Sequence, residues 1–292
     1  MGFFDTIGRG WKMSKLSMVV VKHDPELMFY VALSGIFSIF AFIGMAIPEL
    51  LQMSWIYDEN GAMTPAYMAF IFLGYMVLSI IVTFWNSAII ANAHIRLSGG
   101  DPKFMDGISA AMKRIHIIIM WGLVAGTVGL LLKMLNTAAK NEKNPGLAIL
   151  AGILHLIGAT VWWMMSFFII PHLVIEGQGI GDAMRSSKDM FFKRWGENVV
   201  SGIGIGMISG LFGLVIIVFS VGLIVLVPDL LYIWLILGAA AMTILICWTS
   251  AAEQVAVAAL YLYSKNGFMP EIYQNNGMFE FKLPTADDLS QG

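Results

Sequence analysis

The chain has 292 residues, of which 58% are apolar and only 12% are charged, and its formal net charge is −2. A soluble domain carries about 25% charged residues, so the composition excludes an ordinary soluble protein and indicates a membrane protein. The near-neutral charge carries no nucleic-acid-binding signature, and the single cysteine excludes an internal disulfide or a cysteine metal cluster.

Six charge-poor segments are candidates for membrane spans. A helix needs about 20 apolar residues to cross a hydrocarbon core of about 30 Å. Five segments reach this length, and the third is shorter but is followed by Lys133, whose amine can extend to the interface. The sequence therefore predicts an all-α membrane protein with six transmembrane helices, at residues 27–48, 60–95, 115–132, 147–175, 199–228 and 230–252.

The cations are distributed unequally between the two sides of the predicted membrane. Of the 17 Lys and Arg residues, only Lys133, Lys140 and Lys143 lie on one side, and the remainder lie on the other. Because positively charged loops stay in the cytoplasm, we expect a multi-pass protein of the cytoplasmic membrane with both termini cytoplasmic. The first span is expected to act as an uncleaved signal anchor, since the basic N-terminal segment lacks a signal-peptide core.

Three cytoplasmic segments share a pattern that predicts short amphipathic helices on the inner leaflet. The segments begin at Asp5, Asp106 and Asp182, and each becomes basic within two turns. Aspartate favours the start of a helix and later cations favour its end, while the apolar side can enter lipid. The cations expected to contact lipid head groups are Arg9, Lys12, Lys113, Arg114, Arg185 and Lys188.

The chain is also interpreted as three repeats of one interfacial helix and one transmembrane hairpin. The pairs of spans end at Gly99, Gly177 and Gly267, and glycine is typical of a helix C-terminus. The repeats cover about residues 3–100, 101–179 and 180–267, within a transmembrane domain of residues 1–267. A polar tail of residues 268–292 follows and is expected to lie against the cytoplasmic face or to be disordered. The alternative is that membrane loops accumulate Asp, Gly and Lys without a true repeat.

Small residues in the fifth span predict close helix packing. Gly202, Gly206 and Gly210 are four residues apart and share one helix face, where two membrane helices can approach closely. This face makes a homo-oligomer or a larger membrane complex plausible. Gly122, Gly126 and Gly129 form a weaker version of the pattern in the third span.

A layer of polar residues near the cytoplasmic ends of the spans is the candidate binding site for lipid, a cation or a proton. Ionisable groups inside a span mark functional sites, and Glu253 is the costliest of them here. The members of the layer are Glu253, His94, His172, Glu176, Asn86 and Asn92. The competing interpretation is that these groups bond to each other and cap helix ends at the interface.

Catalytic motifs are not found in the sequence. Metalloprotease, serine-hydrolase and phosphate-loop signatures are missing, and the predicted outer loops at residues 49–65 and 134–146 hold no recognisable catalytic pattern. We therefore expect a protein without catalytic residues, metal or cofactor. It would bind or organise lipid or act as a scaffold or accessory subunit. The alternative function is a small transporter or channel that uses the layer around Glu253.

Several segments together resemble an uncharacterised family of prokaryotic six-span membrane proteins. They are Gly8-Arg9-Gly10-Trp11, Asp24-Pro25-Glu26-Leu27, Gly99-Gly100-Asp101-Pro102, Ile175-Glu176-Gly177, Asp182-Ala183-Met184-Arg185-Ser186-Ser187 and Ala259-Leu260-Tyr261 with Gly267. This resemblance covers essentially the whole chain and implies a six-helix membrane fold. The segment at residues 182–187 is also similar to the membrane domain attached to some glycerophosphodiester phosphodiesterases. This chain lacks their catalytic barrel, so the resemblance implies no phosphodiesterase activity.

Overall fold

The computed structural model describes residues 3–141, 143–193 and 195–276, without the side chains of residues 3–10, 193 and 195–204. Across these residues the regular structure is helical, and the only β-pairing is an isolated bridge between Tyr57 and Met63. The helices are α1 (Phe3–His23), α2 (Glu26–Leu50), α3 (Pro65–Leu97), α4 (Phe104–Lys113), α5 (Ile115–Asn141), α6 (Pro145–Ser166), α7 (Ile169–Val174), α8 (Ile180–Lys193), α9 (Trp195–Leu226), α10 (Leu231–Asn266) and α11 (Glu271–Gln274).

Six helical segments are long and apolar enough to cross a membrane, as predicted. They are Glu26–Leu50, Pro65–Leu97, Ile115–Asn141, Pro145–Val174, Ile205–Leu226 and Pro228–Asn266. Only 6% to 17% of the most apolar stretch of each span is buried by the protein. In water such exposure of large apolar side chains would be strongly unfavourable, so lipid is the natural solvent for these surfaces. The protein is a multi-pass membrane protein.

Helix boundaries follow local sequence signals. Helix α1 ends at His23, because Pro25 disfavours a helical conformation for Asp24. Helix α6 begins at Pro145, and the side chain of Asn144 caps it by accepting a hydrogen bond from the Gly146 N–H at 2.9 Å. A 3₁₀ turn at Pro228–Leu230 joins α9 to α10, so the fifth and sixth spans are joined by a short connection.

The outer segment after the third span differs from the prediction. Residues 134–146 were expected to form a loop, but α5 continues to Asn141. The segment from Met134 to Asn141 contains no glycine or proline and includes two alanines, so the helix has no reason to end at the membrane edge. The connection to α6 is correspondingly short.

The packing divides the chain into two compact units. Unit 1 comprises Met1–Val31, Ile89–Asp106 and Met190–Gly292, and unit 2 comprises Ala32–Ala88 and Gly107–Asp189. Helices α2, α3, α4 and α8 each have residues in both units.

In unit 1, helix α1 packs against both α9 and α10, which also pack against each other. Met13, Ser17 and Val21 are fully buried on α1. The indole Nε1 of Trp248 donates a hydrogen bond to the carbonyl oxygen of Met18 at 3.0 Å. One side of α1 therefore contacts protein along most of its described length.

In unit 2, helices α5 and α6 form an antiparallel hairpin. The rings of Trp121 on α5 and Trp162 on α6 stack at 5.3 Å between centroids. His155 Nδ1 lies 3.0 Å from the carbonyl oxygen of Leu132, so this intramembrane histidine has a hydrogen-bond partner within unit 2.

The glycines that were predicted to end the helical hairpins adopt left-handed backbone conformations. Their φ angles are +88° at Gly99, +68° at Gly177 and +82° at Gly267. At Gly267, the N–H donates to the carbonyl oxygen of Tyr263 and closes α10. Residues with a Cβ rarely adopt this conformation, so the sequence signal for the helix ends is confirmed.

The segment after the last span is folded against unit 1 rather than being wholly a free tail. Met269 and Tyr273 are fully buried, and the hydroxyl groups of Tyr273 and Ser17 lie 2.8 Å apart. This contact fastens α11 to α1. The remainder of the predicted tail, residues 277–292, lies outside the described residues.

Candidate functional site

The six residues of the predicted polar layer are distributed over both units. Asn92, His94 and Glu253 belong to unit 1, and Asn86, His172 and Glu176 belong to unit 2. Each of the two groups has its own surroundings.

In unit 2, His172 and Glu176 lie together one helical turn apart. His172 Nδ1 is 3.1 Å from Glu176 Oε2, and the amide of Gln178 donates to the same oxygen at 2.7 Å. Helix α7 begins at a break after Phe168, whose N–H is satisfied by the hydroxyl of Ser187 at 3.0 Å. The spacing of His172 and Glu176 could be read from the sequence. The contribution of Gln178 depends on the turn at Gly177, which lies between Glu176 and Gln178.

The guanidinium of Arg114 lies over that turn. A Cβ placed on Gly177 would be 2.5 Å from Cζ of Arg114 and 3.0 Å from Nη1. A side chain at residue 177 would therefore collide with the guanidinium. Arg114 was predicted as a lipid contact, but its position beside Gly177 could not be deduced from the sequence.

Asn86 is the third member of the layer in unit 2. Its side chain is half-buried in α3, one turn after Thr83. The hydroxyl of Ser87, next to it, donates to the carbonyl oxygen of Thr83 at 2.7 Å, whereas Asn86 makes no side-chain hydrogen bond within the described part of unit 2. Asn86 is thus separate from the hydrogen-bonded cluster of His172, Glu176 and Gln178.

In unit 1, the most strongly connected polar group is Arg96, which was not predicted as a site residue. Its Nε and Nη2 atoms donate to the two carboxylate oxygens of Asp24 at 2.5 Å each, and Nη2 also donates to Asp101 at 2.7 Å. Asp24 is buried, whereas the Asp101 side chain is 89% exposed. Because Arg96 has two carboxylate partners, this cluster has structural rather than ligand-binding geometry.

Asn92 and His94 precede Arg96 on α3 by four and two residues. Asn92 is buried, and its amide nitrogen donates to the carbonyl oxygen of Lys103 at 3.2 Å. His94 is half-buried. The Asn92 Oδ1 atom and the His94 Nδ1 atom are buried without a hydrogen-bond partner in the part of the chain that the structure describes.

Glu253 is exposed on α10, although Ala252, Val255 and Ala256 around it are buried. Within the described residues, its carboxylate takes part in neither a hydrogen bond nor an ion pair. The structure therefore does not enclose Glu253 with His94 in a bonded cluster of unit 1. An exposed carboxylate in an apolar span faces lipid, water or another protein.

A cavity of about 320 Å³ lies where α3 and α10 end in unit 1. Leu97 and Leu262 contribute apolar surface, and Ser98, Asn266 and Glu271 contribute polar groups. This volume is at the lower end of the range for ligand-binding pockets and suits a head group rather than a whole lipid.

The three predicted interfacial segments are helices, and each exposes cations. On α4, Gly107 and Ala111 are buried, while Met112 and Lys113 are exposed. On α8, Ala183 and Ser187 are buried, and the exposed side chains include Arg185, Lys188 and Phe192, the last with 57% of its surface exposed. Asp182 and Asp189 are exposed as well, and the Lys188 amine lies 3.6 Å from Asp189 Oδ1.

Helix α1 also has a buried side and an exposed side along the residues whose side chains are described. Lys12, Lys15, Val19 and Lys22 are exposed at helical spacing, opposite the side that packs on α9 and α10. The Lys15 amine lies 5.4 Å from the ring centroid of Trp11. The side chain of Arg9 lies outside the described residues.

The predicted glycine face of the fifth span is open. Gly206 and Gly210 are exposed, and a Cβ added at either residue would meet no atom within 4 Å. The surroundings of Gly202 lie outside the described residues. In the third span, by contrast, a Cβ on Gly122 would be 2.8 Å from Cα of Ile80, so Gly122 permits the close approach of α5 to α3 within unit 2.

Comparison with known proteins gives one family. The sequence model of the Family of unknown function (DUF6159) matches residues 65–270. No curated protein matches the chain significantly, so the resemblance to the membrane domain of glycerophosphodiester phosphodiesterases gains no support. Because the family match covers more than two thirds of the residues, this protein belongs to the Family of unknown function (DUF6159).

Proposed function

We propose that this protein binds and organises phospholipid at the inner leaflet of the cytoplasmic membrane, as a non-enzymatic scaffold or accessory subunit. The observation that carries the proposal is the exposed surface of α1, α4 and α8. Each helix presents a cation close to an exposed apolar side chain: Lys15 and Val19, Lys113 and Met112, and Lys188 and Phe192. Such a surface can place its apolar groups in lipid and its cations among phosphates.

The arrangement recurs three times along the chain, which is consistent with the proposed repeats of an interfacial helix and a hairpin. Each predicted repeat also ends at a left-handed glycine. The excess of cations on this side supports a cytoplasmic location for the three helices and both termini. Each cation near an anionic membrane surface adds about 1 kcal/mol of attraction, so several together favour anionic lipid strongly.

Lipid retention tests this proposal. The purified protein is delipidated in mild detergent, titrated with phosphatidylglycerol and examined by native mass spectrometry. A double variant, Lys113→Gln with Lys188→Gln, should weaken retention about tenfold or more. The matched control, Lys140→Gln with Lys143→Gln, removes two cations from the opposite predicted side and should behave as the wild type. Equal loss in both variants, or no retained lipid in the wild type, contradicts the proposal.

A homo-oligomer is proposed as the assembled form, because the open face of Gly206 and Gly210 has no partner within the described part of the chain. Gly206→Leu should lower the particle mass measured by mass photometry in nanodiscs. Gly222→Leu is the matched control, because a Cβ at residue 222 also meets no atom within 4 Å but lies on a different face of α9. A mass that is unchanged by Gly206→Leu contradicts this interface.

A second candidate function is a small transporter or channel, and Glu253 is the observation in its favour. An exposed carboxylate within a span is costly in lipid unless it contacts water, an ion or a partner. In this case Glu253→Gln should abolish a cation or proton flux into liposomes, while Glu271→Gln, which lies after the last span, should preserve it. A flux that survives Glu253→Gln, or the absence of any flux, rejects this function.

A further inference from the structure

Arg114 connects α4 to α5, and its side chain lies against the turn at Gly177. Its guanidinium lies where a side chain at residue 177 would otherwise be, and Gly177 has a φ of +68°. The backbone conformation favours glycine at residue 177, and the lack of a side chain there leaves the space that the Arg114 guanidinium occupies. A Cβ at this residue would push the end of the Arg114 side chain away from the turn.

Among the described residues, no protein side chain accepts a hydrogen bond from Arg114. Arginine carries five N–H donors, and a half-buried guanidinium needs acceptors for them. In the described part of the chain, Arg114 has neither a side-chain hydrogen bond nor an ion pair. Arg96 in unit 1 shows the opposite condition, because three hydrogen bonds to Asp24 and Asp101 occupy its guanidinium.

The carboxylate of Glu176, which directly precedes Gly177, has other partners. Glu176 Oε2 receives the amide of Gln178 and lies 3.1 Å from the ring nitrogen of His172. No ion pair joins Glu176 to Arg114 within the described residues. The positive charge is therefore available to an anion from outside the protein.

The position of the turn favours a membrane lipid as the source of that anion. Arg114 immediately precedes the span Ile115–Asn141, and Gly177 lies three residues after the end of the span Pro145–Val174. Both therefore lie at the ends of spans, at the level where phospholipid phosphates are found. A guanidinium can bind two phosphate oxygens at once, which a lysine amine cannot.

We infer that Arg114 binds the phosphate group of a phospholipid through a two-point contact, and that Gly177 provides the space for the guanidinium. This inference rests on the proposed lipid-binding function and gives it one defined phosphate site. The site distinguishes lipids that carry phosphate from those with the same acyl chains but no phosphate.

The test measures lipid binding by native mass spectrometry of the delipidated full chain. The probes are dioleoylphosphatidylglycerol, dioleoylglycerol, which has the same chains without phosphate, and soluble glycerol phosphate. We expect the wild type to bind the phospholipid at least about tenfold more tightly than dioleoylglycerol, and Arg114→Gln to remove this preference. Arg114→Lys keeps the charge but loses the two-point contact, so it should restore the preference only in part.

Two glycine variants separate the position of the guanidinium from its charge. Gly177→Ala should displace Arg114 and weaken phospholipid binding severalfold without changing the net charge. Gly179→Ala is the control, because a Cβ there meets no atom within 4 Å and the φ angle is not left-handed. Thermal unfolding of each variant is recorded, so that a loss of binding is compared only between folded proteins.

The outcomes separate this site from the general function. If Arg114→Gln leaves the phospholipid preference intact, or Gly177→Ala behaves as Gly179→Ala, the site is wrong even though the protein retains lipid. If the wild type retains no phospholipid, the proposed function fails together with the site. If soluble glycerol phosphate binds as tightly as the phospholipid, the anion comes from solution and the membrane source is overturned.

Discussion

Arg96 and Arg114 both lie within a few residues of the end of a membrane span, but their surroundings differ. Arg96 retains 26% exposure of its side chain and has two carboxylate partners, one buried and one exposed. Arg114 lies against the turn at Gly177 and has no carboxylate partner among the described residues. Arg96 thus neutralises the buried carboxylate of Asp24 in unit 1, whereas the positive charge of Arg114 in unit 2 remains accessible to an external anion.

At Asp24, removal of the buried carboxylate should destabilise the protein. Asp24→Asn leaves Arg96 with only the exposed Asp101, so the free energy of unfolding should fall by about 2 kcal/mol, as measured by SDS titration monitored by circular dichroism. The cost is below that of a fully buried pair because Arg96 is partly exposed. Asp101→Asn should cost less than about 1 kcal/mol. Equal effects of the two variants would refute the difference in burial as the cause.

Tyr273 makes the docking of α11 sensitive to alkaline pH. Burial raises the pKa of its hydroxyl well above the ordinary value near 10, and the hydrogen bond to Ser17 offsets this only in part. The unfolded chain ionises near pH 10 while the folded protein resists ionisation, so the stability contribution is complete below pH 10 and is lost as the pH rises further. The slope for one such group reaches about 1.4 kcal/mol per pH unit.

Replacement of Tyr273 tests this linkage. Tyr273→Phe should cost about 1 kcal/mol near neutral pH, because the hydrogen bond to Ser17 is lost, and it should flatten the decline in stability above pH 10. Tyr232→Phe removes a hydroxyl from a residue that is 79% exposed and serves as the control. A decline of the same steepness in both variants would exclude Tyr273 as the source.

At the level of helices, the glycines of α5 differ in what they face: Gly122 lies against the backbone of Ile80, Gly126 lies against the side chains of Met76 and Ser79, and Gly129 has no neighbour within 4 Å. Gly122→Ala places a methyl group against the backbone of Ile80 and should lower the free energy of unfolding by about 1–3 kcal/mol. Gly129→Ala, on the same helix, meets no atom within 4 Å and should be neutral or slightly stabilising. The measurement is the same denaturant titration, and a similar loss at both residues would argue against a specific contact at Gly122.

The helices themselves were largely predictable from the sequence. Hydropathy located all six spans because lipid requires long apolar segments, and glycine marked the ends of α3 and α10 because of its left-handed conformation. The continuation of α5 to Asn141 was missed, since hydropathy reports the membrane and not the end of a helix.

The side-chain clusters were less predictable. The contact between His172 and Glu176 could be predicted from the sequence, because one helical turn separates the two residues. In contrast, Asp24 and Arg96 are 72 residues apart, and no local pattern indicates their contact. Gly206 has an open environment and Gly122 a crowded one, and spacing alone cannot reveal this difference, since both belong to similar glycine patterns.

For the whole molecule, the unequal distribution of cations predicts the orientation in the membrane. With Cys247 replaced by serine, Asn60→Cys in the loop before α3 should react with an impermeant maleimide on intact cells. Asn266→Cys, at the end of α10, should react only after the membrane is permeabilised. Both asparagines are exposed, so access to protein surface does not limit the reaction. The reverse labelling pattern would place the basic helices outside the cytoplasm.

The packing of α1 on α9 and α10 has a consequence for the time course of biosynthesis. Met18 and its partner Trp248 are 230 residues apart, and a ribosome adds about 5–20 residues per second. The contact surface of α1 therefore waits roughly 10–50 s for its partner helices to be made. During this interval the membrane surface offers an apolar environment to the nascent helix, so we expect lipid to cover the apolar side of α1 before protein does.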